Sequence, residues 1–113
     1  MKTYQVRLMN PQRKLDETIT VGEDEYILEI AEEQGIRLPS GCKQGDCSSC
    51  IARLIKGTIN QNNQKFLHAG EVNAGYVVTC ISSPMSDCTL VTHQEQVLFD
   101  TALYHQRKEN EIY

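Results

Sequence analysis

Three cysteines stand within nine residues, Cys42, Cys47 and Cys50, and a fourth, Cys80, follows 30 positions after the last. This spacing constrains the fold more than any other feature of the chain. Four thiols that serve one purpose must converge, so the loop GCKQGDCSSC (residues 41–50) has to curl back on itself and meet a segment far downstream. Gly41 and Gly45 suit such a curl, because glycine accepts positive φ and leaves room for close approach. The chain has 113 residues and five cysteines. An odd count in a chain without a signal-peptide pattern fits metal ligation in a reducing compartment better than a disulfide framework. Thiolates are soft, charged donors, and four of them can hold an iron–sulfur centre.

The rest of the chain reads as one domain. Tyr4, Val6 and Leu8 alternate with polar residues, Asn10-Pro11 marks a turn, and Leu15, Ile19 and Val21 continue the apolar pattern. These features predict a β-hairpin. In EDEYILEIAEEQG, Ile27, Leu28 and Ala31 fall on one helical face. Asp24 is placed to cap the start of that helix, and Gly35 suits its end. Residues 51–56 predict a strand ending at Gly57, residues 61–64 a polar loop, and residues 69–74 a short helix. A β-rich run spans 76–80, and a last strand covers 89–92 before a polar tail with helical potential. This order predicts an α+β domain, a mixed sheet over one main helix.

Charge is uneven. Residues 16–33 carry eight of the fifteen acids and no Lys or Arg, which leaves seven acids against all eleven basic residues elsewhere. An acidic face disfavours nucleic acid and steers basic protein partners; a solvated helix face is the plainer reading. No run of about 18 apolar residues exists, so no membrane-spanning segment is expected.

The pattern Cys42-x4-Cys47-x2-Cys50…Cys80 resembles that of the plant-type 2Fe-2S ferredoxins. EYILEIAEEQGIRLPSGC, SSCIARLIKGT, AGYVVTC and SDCTLVTH are similar to family segments in the same order, so the resemblance runs from about residue 3 to about residue 99. It implies a β-grasp fold and one 2Fe-2S cluster held by Cys42, Cys47, Cys50 and Cys80. Ser40, Gly41, Lys43, Gly45 and Asp46 would form the loop around it. It implies a one-electron carrier and not an enzyme, with potentials of about −400 mV typical of the type. Its partners would be transient: photosystem I, ferredoxin–NADP reductase or another ferredoxin-dependent enzyme. An aromatic and a glutamate that help dock the reductase fall on Phe66 and Glu95. A monomer is expected, in the cytoplasm or, after loss of a transit peptide, in the plastid stroma. Residues 1–99 would be the ferredoxin domain and residues 100–113 an extension on which Leu103 and Tyr104 could pack a short helix.

The chain also departs from the family. Asp46 stands where a small residue is usual, and Ser40-Gly41 replaces the usual Tyr-Ser before the first cysteine. His68, Ala69 and Gln96 stand where acids are usual near the docking positions. These changes point to a specialised isoform. Other uses of the thiols are a Cys47–Cys50 dithiol pair, which would ordinarily open a helix, and zinc, which favours paired Cys-x2-Cys knuckles. A redox sensor or regulatory binding module is the alternative to a carrier. Cys88 reads as a buried structural thiol, and His68, His93 and His105 as structural or surface residues.

Overall fold

The computed structural model describes residues 2–38 and 50–101. Among these, β1 (Thr3–Asn10) and β2 (Leu15–Gly22) form the expected hairpin, in register from Thr3↔Gly22 to Asn10↔Leu15. A 3-10 turn, Pro11–Arg13, joins them, with Pro at its start and Lys14 in the left-handed region after it. Proline fits because its missing N–H is not needed in the first turn. The alternation does what it predicts: Val6, Leu8, Ile19 and Val21 are buried, and their neighbours Gln5, Arg7, Thr18 and Thr20 are exposed.

Next come α1 (Ile27–Glu33), β3 (Ile51–Lys56), β4 (Ile59–Asn60), α2 (Ala69–Asn73) and β5 (Tyr76–Val78). A 3-10 turn (Thr79–Ile81), β6 (Ser83–Pro84), β7 (Cys88–Val91) and α3 (Glu95–Phe99) complete the described chain. The main sheet runs β2-β1-β7-β3-β5, and β4 and β6 form a second, two-stranded sheet. β1 and β7 are parallel; the other pairings are antiparallel. This mixed sheet with its principal helix is the α+β arrangement expected of a β-grasp. No helix among the described residues is long and apolar enough to cross a membrane.

Two expectations are corrected in detail. Asp24 does not cap α1. The helix starts at Ile27 with Tyr26 as N-cap, and the Ile27 N–H donates to the Ser82 carbonyl at 3.0 Å. A tertiary contact thus satisfies a first-turn donor that a capping side chain commonly takes. The acid in this corner that bonds backbone is Glu25, whose carboxylate accepts from the Gly22 N–H at 2.7 Å. The helix end follows the sequence: Gly35 has φ +80°, its N–H donates to Glu32 O, and the Ile36 N–H donates to Ala31 O. That is a Schellman motif, in which the left-handed residue lets the chain reverse and closes the last carbonyls. The second correction concerns Cys80: β5 stops at Val78, so Cys80 lies in a 3-10 turn rather than at a strand end.

Candidate iron–sulfur site

Cys50 immediately precedes β3, which pairs with β5 through Ile51↔Val78. One step beyond that pair, Cys50 meets Thr79, the neighbour of Cys80. The Thr79 hydroxyl donates to the Cys50 carbonyl at 2.8 Å, and the Thr79 N–H donates to the same oxygen at 3.4 Å. Sheet register therefore brings together the two cysteines on either side of the pattern's long gap. Both are buried, neither is in a disulfide, and both belong to one apolar cluster with Leu28, Ile51, Leu67, Tyr76, Val78 and Leu98.

The other expected ligands, Cys42 and Cys47, lie outside the described residues, as do Ser40, Gly41, Lys43, Gly45 and Asp46. Among the described residues no group of three or more His, Cys, Asp or Glu side chains could hold a metal ion. The pair that is described nevertheless fits the expected group. Two soft donors, one just before β3 and one in the 3-10 turn after β5, stand together in one apolar cluster.

An open cleft of about 510 Å³ borders Cys80, lined also by Tyr26, Leu28, Glu29, Glu32 and Glu33. Three acids of the 16–33 stretch, Glu29, Glu32 and Glu33, therefore border Cys80. Phe66 is half-buried and packs against the cysteine-side cluster; Glu95 opens α3 and is also half-buried. His68 is exposed at the N-cap of α2, with its N–H donating to the Glu71 carboxylate at 2.9 Å, and Ala69 and Gln96 are exposed.

Cys88 is buried at the start of β7. Its thiol lies 3.1 Å from Ser86 O and 3.3 Å from Thr58 O, and burial pushes its pKa up. An unionised, hydrogen-bonded thiol is a poor nucleophile, which fits a structural role. His93 has φ 59° and places Nδ1 2.7 Å from the Thr92 hydroxyl. His105 lies outside the described residues.

Sequence reasoning missed Thr79, which ties the Cys80 turn to Cys50, and Gln94, whose N–H donates to Ile51 O at 3.0 Å. It also read Gln61 as plain loop, whereas its side chain bonds to β5. No local pattern marks these residues, because each partner is distant in sequence.

Comparison with known proteins agrees with the geometry. The 2Fe-2S iron-sulfur cluster binding domain matches residues 9–85. The vegetative ferredoxin of Trichormus variabilis is 49% identical over 98 residues, covering 87% of this chain and 99% of that protein. The chloroplastic ferredoxin-6 of Zea mays is 40% identical over 96 residues, covering 85% of this chain and 61% of its own length. Among solved structures, pectocin M2 superposes with a TM-score of 0.81 at 33% identity, over 96% of this chain and 39% of that longer one.

Proposed function

This chain belongs to the 2Fe-2S ferredoxin family, as an electron-transfer protein with one cluster rather than an enzyme, and on that premise we propose that Cys42, Cys47, Cys50 and Cys80 are the four ligands. The observation that carries the proposal is the juxtaposition of Cys50 and Cys80, two buried thiols joined through the Thr79–Cys50 hydrogen bonds. When bound, the cluster supplies one-electron chemistry. The chain's own residues do the rest. Leu28, Leu67, Val78 and Leu98 keep water from the inner side, which bears on the potential. Ser40, Gly41, Lys43, Gly45 and Asp46 are assigned to cofactor binding on the family resemblance alone.

Electrons pass to and from redox protein partners. Photosystem I or a reductase serves as donor, and soluble ferredoxin-dependent enzymes as acceptors. Glu29, Glu32 and Glu33 draw a basic partner to the face beside Cys80, and Phe66 and Glu95 dock ferredoxin–NADP reductase. The missing acids at His68, Ala69 and Gln96 weaken that docking and mark a specialised isoform. Residues 1–99 form the carrier domain, acting as a monomer in the cytoplasm or plastid stroma, and residues 100–113 an extension.

The test is iron and acid-labile sulfide analysis of the purified protein, with single alanine variants. Two irons and two sulfides per chain are expected, with colour lost in Cys42→Ala, Cys47→Ala, Cys50→Ala and Cys80→Ala and kept in Cys88→Ala. Colour and redox behaviour that survive any of the first four substitutions would overturn the assignment. The isoform reading predicts weak, shallowly salt-dependent affinity for ferredoxin–NADP reductase; tight, steeply salt-dependent binding would refute it.

A further inference from the structure

β5 delivers Cys80, yet it is short and lies at the edge of the main sheet. Along an antiparallel strand, backbone polar groups point alternately to either side. Gly75 O and Thr79 N–H turn toward β3, bonding Leu54 and Cys50. Tyr76 and Val78 therefore present their carbonyl and N–H groups outward, where a further strand would sit. The side chain of Gln61 occupies that place. Its Nε2 donates to Tyr76 O at 2.9 Å, and its Oε1 accepts from the Val78 N–H at 2.9 Å. A carboxamide sets an N–H donor and a carbonyl acceptor side by side, so it substitutes for a neighbouring backbone.

The clamp is itself anchored. The Gln64 N–H donates to Gln61 O at 3.1 Å. The Gln64 carboxamide in turn accepts from the Leu67 N–H at 2.6 Å and donates to Leu67 O at 2.9 Å. Leu67 is buried in the same apolar cluster as Cys50 and Cys80. Gln61 is thus held from behind while it closes the outer edge of the strand that leads into the Cys80 turn.

We propose that Gln61 is a positioning residue for the cluster, fixing Cys80 by acting as a surrogate strand on the open edge of β5. This rests on the assignment of Cys80 as a ligand. Without the carboxamide, the outward groups of Tyr76 and Val78 turn to water, the edge opens locally, and the Cys80 sulfur is held less well.

The experiment uses the full-length holoprotein and compares wild type, Gln61→Leu, Gln61→Glu and Val6→Ala, the last a core change on the far side of the sheet. Each is challenged anaerobically with excess iron chelator, and the decay of visible absorption is followed at equal temperature below each variant's Tm. The midpoint potential is measured alongside. Gln61→Leu is expected to lose its cluster about tenfold faster, the change in local opening expected when two ordinary hydrogen bonds are removed. Gln61→Glu, which keeps the acceptor but loses the donor, is also faster than wild type. Val6→Ala melts lower but holds its cluster as wild type does. If Gln61→Leu does not fold, Gln61→Asn, one methylene too short to span Tyr76 and Val78, replaces it with the same expectation. A lifetime within about twofold of wild type, or one shortened no more than in Val6→Ala, would overturn the proposal. A wild-type protein without a cluster would instead overturn the ligand assignment beneath it.

Discussion

The hairpin-side core and the cysteine-side core of this protein are held by different means. On the hairpin side, Val6, Leu8, Ile19 and Val21 come from the two eight-residue strands of the hairpin and, with Leu90 of β7, meet Ile27, Ile30 and Ala31 of α1. Backbone ladders in regular register set their positions. On the cysteine side, Leu28, Cys50, Ile51, Leu67, Tyr76, Val78, Cys80 and Leu98 come from short pieces. Much of the stitching there is side chain to backbone: Thr79 to Cys50, Gln61 to β5, Gln64 to Leu67. A ladder tolerates the loss of one rung, because its neighbours remain. A single side-chain tie has no such reserve. The difference separates the hairpin scaffold from the region that holds the proposed ligands Cys50 and Cys80.

The largest test of this contrast sets Leu8→Ala against Leu98→Ala. Both side chains are fully buried, so each truncation should cost ~2–5 kcal/mol in denaturant unfolding of the protein. Only Leu98→Ala should also shorten cluster lifetime, read from visible absorption below the transition. Equal effects on the cluster would erase the distinction between the two cores.

A smaller effect is expected for Gly57→Ala. Gly57 has φ +100°, and an added Cβ would lie 2.3 Å from Asp87 O and 2.9 Å from the Cys88 sulfur. A cost of roughly 1–3 kcal/mol follows from the strained backbone and the crowding. It should appear as a lower Tm, with the absorption of the folded protein unchanged, because the crowding falls on the start of β7. Thr79→Val comes next. It removes the hydroxyl donor to Cys50 O at a cost of ~1 kcal/mol. Despite this small cost, chelator challenge should show faster cluster loss than in Gly57→Ala.

The smallest effect is a pH dependence at His93. Burial, and secondarily the Arg13 charge, hold its pKa below the ordinary histidine value. The unfolded chain then binds the proton more readily than the folded one. Stability therefore rises with pH between the lowered folded pKa and the ordinary value of about 6.5, and falls as the medium is acidified through that window. His93→Asn, which tolerates the left-handed backbone, should flatten this slope in unfolding measurements from pH 5 to 7. An unchanged slope would place the proton linkage elsewhere.

The two regions also differed in how far they could be read from sequence. The hairpin was legible because alternation is a local signal, and Val6, Leu8, Ile19 and Val21 are all buried as it requires. The end of α1 was legible because Gly35 marks a left-handed position. Its start was not: the donor of Ile27 is satisfied by Ser82, 55 residues downstream, and no local capping residue was required. The run from Tyr76 to Cys80 was β-rich throughout, yet the strand yields at Thr79, where the chain turns to tie itself to Cys50.

By itself the sequence determined the family, the kind of cofactor and the alternating faces of the hairpin, because thiol spacing and apolar period are properties of neighbouring residues. Only the tertiary structure decided that Thr79 joins Cys50 to the Cys80 turn, across 29 positions, and that Gln61 closes the edge of β5, across 15 and 17. The physical reason is that a hydroxyl or carboxamide carries no mark of its partner. It acquires a role when folding brings an unpaired backbone group within its reach.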